Sequence, residues 1–399
     1  MDHYIPKINK IAEENGFKDF KLIFEKGSDL GFIGLLNKCR IIENDRELSL
    51  YCKFLPEDEE RNSRYNSFLL FEREVLVYNE IFPIFEEFQL EHGIDRSDKE
   101  GFWTFPKSFY AHYDEDCPSK SIIIMEDLTT ENFIVKDKFI PSDFNHTAKL
   151  FQELAKFHGL SLAINYKNPK ALEKFRPLRN PMCITMRTEL MKDIAPRNLS
   201  LITKLFQNEN EQKIVEKLLP YKNDLWNQIA ERLDKAGEES QSVICHGDVW
   251  INNILFNYCD TNKDIINEMK LVDWQITHYG SLGSELTYYL FICVNYEVRK
   301  NRQEELIMLY YNSMRQFLNK FSLDIEKVLP FKMLKDQLKT FGLYAFGMAN
   351  FAIPLLCKYP EQLFENENAE LTDEEMKCVE NYNNVMRHLI LDIIDMEIL

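Results

Sequence analysis

The stretch from Ser242 to Phe256 constrains this chain more than any other. It reads S-V-I-C-H-G-D-V-W-I-N-N-I-L-F. An apolar run, Val243 to Cys245, delivers His246, Gly247 and Asp248 into a turn. Asn252 and Asn253 follow, and a second apolar run starts at Ile254. Leu271-Val272-Asp273-Trp274-Gln275 then reads as another apolar strand ending in an acid. A His-x-Asp-x-x-x-x-Asn turn followed by a strand-borne Asp is what Mg²⁺-dependent phosphoryl transfer requires. One carboxylate accepts the proton of the acceptor hydroxyl, while an amide and a second carboxylate hold Mg²⁺ against the phosphates.

The remaining residues can build a sizeable scaffold around that turn. The chain has 399 residues, 45% hydrophobic and 13% aromatic, enough for a two-lobed unit and too apolar for disorder. Its net charge of −17 argues against a nucleic-acid partner and against an anionic membrane surface. Nine Cys with no C-x-x-C pair read as reduced thiols in a cytoplasmic protein, not a disulfide framework or a zinc site. Met1 to Lys7 has no apolar signal-peptide core. The most apolar late segment, Phe341 to Cys357, is too short to span a bilayer and reads as a buried helix pair.

In chain order, Ile8 to Asn15 has helical spacing and Phe20 to Phe24 alternates as a strand. Gly27, Gly31 and Gly34 punctuate the link to a second strand. Gly31 and Gly34 are candidates to bring backbone N–H groups close to phosphates; an ordinary hairpin turn is the other reading. Leu48 to Leu55 is a strand with a single lysine, Lys53, either a surface residue or a phosphate ligand. Ser67 to Phe82 is a helix with Phe71, Val75, Tyr78 and Phe82 in one stripe, and Pro83 just beyond its end. Glu72, Glu74 and Glu80 on that helix are all candidates to pair with Lys53, and periodicity does not choose among them. Pro106 to His112 and Ser121 to Met125 read as two more strands, joined by a hairpin loop over Asp114 to Ser119. Helices dominate afterwards: Phe144 to Ile164, Tyr221 to Ala236, Leu286 to Tyr296 and several in the tail. This shift puts a lobe boundary near residue 128.

Together these stretches resemble one family. H-G-D-V-W-I-N-N-I-L-F at 246–256 with L-V-D-W-Q at 271–275 resembles the ecdysteroid kinase-like (CHK kinase-like) group. That group lies in the aminoglycoside phosphotransferase and choline kinase-like branch of the protein kinase-like fold. Y-C-K-F-L-P at 51–56 is similar to its lysine strand and F-E-R-E-V-L-V-Y at 71–78 to its Phe-x-x-Glu helix. I-M-E-D-L at 124–128 is similar to its hinge and L-A-K-F-H-G-L-S-L-A at 154–163 to the helix that follows. H-G-D in place of H-R-D points to a small-molecule kinase.

The resemblance implies an α+β, two-lobed protein kinase-like fold. Residues 1–127 would form a small antiparallel β N-lobe with one main helix, and 128–399 a larger, mostly helical C-lobe. It implies Asp248 as catalytic base or substrate-orienting carboxylate and His246 as the residue orienting its loop. Asn253 and Asp273 become the Mg²⁺ ligands. Lys53, paired with Glu74, becomes the ATP phosphate contact, and main-chain groups of Met125, Glu126 and Asp127 hold adenine. The acceptor is a small-molecule alcohol, an ecdysteroid or foreign compound, with no obligate protein partner. A choline or ethanolamine kinase, with an aromatic cage drawn from Trp250, Tyr288 and Tyr289, is the alternative. A nucleotide-binding pseudokinase is the alternative of another class. The chain departs from the family pattern in a loose Gly-rich loop and at Ser281-Leu282-Gly283-Ser284-Glu285-Leu286, where Ser-Pro-x-x-Asp-Leu is usual; Glu285 stands in place of the Asp, and its extra methylene has to be absorbed by a backbone shift.

Overall fold

In the computed structural model, which describes residues 4–26, 34–56, 58–64, 66–239, 241–259, 262–366 and 368–399, the N-terminal strands pair as their alternation predicts. Gly27 and Gly31 lie outside the described residues. Contacts group the chain into two compact units. The first takes in Met1–Leu90, Trp103–Ile134 and Leu255–Ile276; the second takes in Glu91–Phe102, Val135–Ile254 and Thr277–Leu399. The expected division was a single cut near residue 128, whereas each unit draws on separate stretches.

The first unit is built on a five-stranded antiparallel sheet in the order β1-β2-β3-β5-β4. Its strands are β1 (Lys21–Lys26), β2 (Leu35–Glu43), β3 (Arg46–Phe54), β4 (Ser108–His112) and β5 (Ile122–Glu126). Side chains alternate between the two faces of a strand. Cys39 and Ile41, Leu50, Cys52 and Phe54, and Ile122 and Ile124 form one core with Ile8, Ile11 and Ala12 of the helix Ile5–Glu14. The alternation turns Lys53 to the opposite face, toward the helix Ser67–Leu76 that carries Glu74.

The stripe Phe71, Val75, Tyr78 and Phe82 is buried as expected, but Pro83 does not end the helix. The chain passes through a π-helical turn, Val77–Ile81, into a further α-helix, Phe82–Glu91. The Phe82 N–H donates to the Val77 carbonyl five residues back. That wider turn sits where the proline ring would otherwise meet the carbonyl four residues behind it.

The second unit is mostly helical. Leu282–Cys293 packs on Phe331–Leu356, and Phe144–Lys167 on Tyr296–Asn319. A Cβ on Gly283 would stand 2.7 Å from the Gln337 backbone, so only glycine lets the first pair approach this closely. Phe341 to Cys357 is not a helix pair; it belongs to the single helix Phe331–Leu356, with Pro354 inside it. Pro354 has no N–H for the Asn350 carbonyl, and Asn198 Nδ2 supplies that hydrogen bond at 2.7 Å. Among the described residues no helix is long and apolar enough to cross a membrane. Antiparallel N-terminal sheet and helical remainder together make the chain α+β, as expected.

Candidate active site

The first unit assembles a buried charge cluster. Lys53 Nζ lies 2.5 Å from Glu74 Oε2 and 2.5 Å from Asp273 Oδ1. Lys53 is 7% exposed and Glu74 1%. Burial alone pulls the Lys53 ammonium down, but Asp273 and Glu74 together outweigh it and hold the lysine above its ordinary value. The ammonium therefore keeps its proton at any physiological pH. Asp273 follows the strand Asn262–Leu271 with φ at 68°, a left-handed conformation that Asp tolerates better than most residues. Its other oxygen accepts from Gln275 Nε2 at 3.0 Å. The next residue, Trp274, is fully buried and packs edge-on against Phe82 at 4.9 Å. This anchors the Asp273 turn to the chain that carries Glu74.

Gly34 closes over the same lysine. A Cβ there would stand 2.9 Å from Lys53 Cε and 3.3 Å from the Phe54 carbonyl. At the end of β5, Met125 pairs with Tyr51 and Ser108. The Glu126 N–H donates to the Lys107 carbonyl at 3.0 Å and the Asp127 N–H to the Ser49 carbonyl at 3.2 Å. The Glu126 and Asp127 N–H groups are thus engaged within the chain. The Asp127 carboxylate is structural: it receives Lys38 Nζ at 2.5 Å, Ser49 Oγ at 2.8 Å and the Thr129 N–H at 3.0 Å.

The second unit holds the His-Gly-Asp turn. Gly247 has φ at 87°, so the turn needs a residue without a Cβ. His246 is buried, and its Nδ1 accepts the Asp248 N–H at 3.2 Å. Asn253 Nδ2 donates to the Asp248 carbonyl and to Asp248 Oδ2, both at 2.9 Å. The amide oxygen of Asn253 is then the atom directed to other chemistry.

Three contacts come from one helix face, and two of them, Glu285 with His158 and Tyr288 with Asp248, escaped the sequence reading. The helix begins at Leu282, not at Leu286, because the Ser281 hydroxyl caps it by accepting the Gly283 N–H. Glu285 and Tyr288, three residues apart, therefore face the same way. Glu285 Oε1 accepts the Gly247 N–H at 2.5 Å, and its Oε2 meets His158 Nε2 at 2.7 Å. The Tyr288 hydroxyl donates to Asp248 Oδ1 at 3.2 Å. Burial first, and then the Asp248 charge, push the Tyr288 phenol well above its ordinary value, so it remains a donor. Each oxygen of the Asp248 carboxylate thus has a side-chain donor, which fixes its direction. Tyr289 points elsewhere: it is fully buried and its hydroxyl lies 2.6 Å from Ser142 Oγ.

Among the described residues no three His, Cys, Asp or Glu side chains gather as a metal site. Asp273 offers a carboxylate oxygen and Asn253 an amide oxygen, each of the hard oxygen type that Mg²⁺ takes.

Comparison with known proteins agrees with the motifs. A 213-residue stretch is 20% identical to the uncharacterized oxidoreductase dhs-27 of Caenorhabditis elegans, covering 53% of this chain and 24% of that protein. The chain thus spans about a quarter of that relative's length, and the oxidoreductase description is that protein's own. Among solved structures, the Plasmodium vivax ethanolamine kinase Pv091845 aligns with a TM-score of 0.37 at 11% identity, over 90% of this chain and 82% of that one. Spectinomycin phosphotransferase APH(9)-Ia, solved with ADP and spectinomycin, aligns at 0.36 and 12% identity, over 95% and 93% of the two chains. At those scores neither likeness bears on the argument. The ecdysteroid kinase-like family profile matches residues 37–323, which include Lys53, Glu74, Asp248, Asn253 and Asp273. By that match over most of its length, the chain belongs to the ecdysteroid kinase-like family.

Proposed function

We propose that the protein is an ATP- and Mg²⁺-dependent kinase that phosphorylates a hydroxyl of a small hydrophobic alcohol, an ecdysteroid or a foreign compound. The observation that carries this reading is the buried Lys53 held between Glu74 and Asp273. A permanently charged ammonium on a rigid strand neutralises phosphate without needing to reorganise. Asp273 and Asn253 would hold Mg²⁺, which when bound offsets phosphate charge. Asp248 accepts the proton as the acceptor O–H bond breaks. The acceptor oxygen bonds to the γ-phosphorus, and the bridging P–O bond breaks with its electron pair leaving on ADP. His246, Asn253, Tyr288 and Glu285 keep that carboxylate aimed through the hydrogen bonds already described.

The fate of the aromatic residues favours an apolar alcohol over choline. A quaternary ammonium needs several ring faces around one point. Tyr289 is in the core with its hydroxyl on Ser142, and the Tyr288 hydroxyl is on Asp248. That leaves no three-ring cage of Trp250, Tyr288 and Tyr289. ADP release measured over sterols, plant phenolics, choline and ethanolamine tests the reading. Turnover of choline above all hydrophobic alcohols, or of no alcohol at all, contradicts it.

A further inference from the structure

We infer that Gln275 decides which divalent cation the protein accepts: by holding one oxygen of Asp273, it keeps that carboxylate a one-oxygen ligand and favours Mg²⁺ over Ca²⁺. This rests on the reading of Asp273 as a metal ligand.

The two side chains meet within the first unit. Asp273, at φ 68°, leads into the short turn Trp274–Ile276, and the Gln275 amide returns onto the Asp273 carboxylate with Nε2 3.0 Å from Oδ2. The residue between them is fixed. Trp274 is fully buried, donates from Nε1 to the Leu271 carbonyl at 3.1 Å and meets Phe82 edge-on. Gln275 is itself buried, and its amide oxygen has no hydrogen-bond partner among the described residues. An amide buried with its oxygen unsatisfied lowers stability. What the position supplies is the donor to Asp273.

Asp273 therefore carries a side-chain donor on each oxygen, Lys53 Nζ on Oδ1 and Gln275 Nε2 on Oδ2. Its side chain is 29% exposed, so the carboxylate is open to an ion. The two donors are not equally replaceable. The Lys53 ammonium also pairs with Glu74 and keeps that partner if a cation takes Oδ1. Gln275 Nε2 has only Asp273 as its side-chain acceptor among the described residues.

Ca²⁺ takes about 6–8 oxygens and uses carboxylates through one oxygen or both, whereas Mg²⁺ holds to a strict octahedron. A second free oxygen on Asp273 therefore serves Ca²⁺ more than Mg²⁺. Chelation through both oxygens would strip Oδ2 from Gln275 and leave Nε2 buried without an acceptor. Ligation through Oδ1 alone carries no such penalty.

The test is Gln275→Met in the full chain with ADP, titrated with Mg²⁺ or with Ca²⁺. Binding is read as a rise in melting temperature, so no turnover is needed. Wild type binds Mg²⁺ more tightly than Ca²⁺. In the variant the Ca²⁺ dissociation constant falls about tenfold relative to that of Mg²⁺. An unchanged ratio overturns the inference, as does equal weakening of both ions, which marks a merely structural role. Gln275→Glu removes the same donor in a similar shape and must move the ratio the same way; a shift toward Mg²⁺ overturns it too. If neither ion stabilises wild type with ADP, the metal reading of Asp273 fails and the inference falls with it. A metal response with an unchanged ratio sinks the inference alone.

Discussion

One carboxylate, Glu285, ties the Gly247 backbone to the His158 ring: Oε1 accepts the Gly247 N–H at 2.5 Å and Oε2 meets His158 Nε2 at 2.7 Å. His158 continues through Nδ1 to the Tyr310 hydroxyl at 2.8 Å. The Glu285 side chain spans the two partners with one oxygen on each. Glu285→Asp is therefore expected to lose one of them. Unfolding in urea should show a loss of about 1–3 kcal/mol. Turnover should fall while the KM for ATP stays put, because the change acts on the Asp248 turn. A variant with wild-type stability and rate would mean the bridge contributes nothing.

The same carboxylate gives a pH dependence with a definite sign. Burial by itself raises Glu285, but the His158 hydrogen bond, the His158 and His246 charges and the Gly247 N–H outweigh it and hold the group below its ordinary 4.5. A depressed carboxylate contributes stability that is complete above its unfolded value and is lost as pH falls through the folded one. The melting temperature of wild type should thus fall more steeply below about pH 4.5 than that of Glu285→Gln. Parallel acid limbs would contradict the assignment.

Lys53→Met should damage stability and nucleotide binding separately. Removing the ammonium leaves Glu74 and Asp273 as two carboxylates without their shared counter-charge, at an expected loss of about 3 kcal/mol. Adding Glu74→Gln should restore much of that loss, since one buried charge is then neutral. The double variant should still show no melting-temperature rise with ATP and Mg²⁺. Recovery of the ATP shift would remove Lys53 from the phosphate site.

How much of this was legible in the sequence depends on distance along the chain. The alternation of β3 and the stripe of Ser67 to Phe82 are local, so the strand and the helix could be read directly, while Lys53 stayed open between a surface residue and a phosphate ligand. The choice of Glu74 needed the resemblance, because several glutamates share that helix. Pro83 misled, since a π-helical turn absorbs a proline that an α-helix would not. The start of the Glu285 helix was placed four residues late, because Ser281 acts as a cap within an apolar run that shows no periodicity. Glu285 with His158, and Tyr288 with Asp248, are separated by 127 and 40 residues. No spacing rule joins them. His158 sat in a stretch matched to the family without a role attached, and Tyr288 was counted as a cage ring.

The central claim is that Asp248 is the base for an alcohol acceptor, and Asp248→Asn with a hydrophobic alcohol tests it most directly. The amide keeps the shape and the Tyr288 contact but cannot take the proton. ADP release should fall by about a thousandfold or more while ATP binding, read as a melting-temperature rise, is nearly unchanged. Wild-type turnover in Asp248→Asn on a substrate that the native protein phosphorylates would contradict the account.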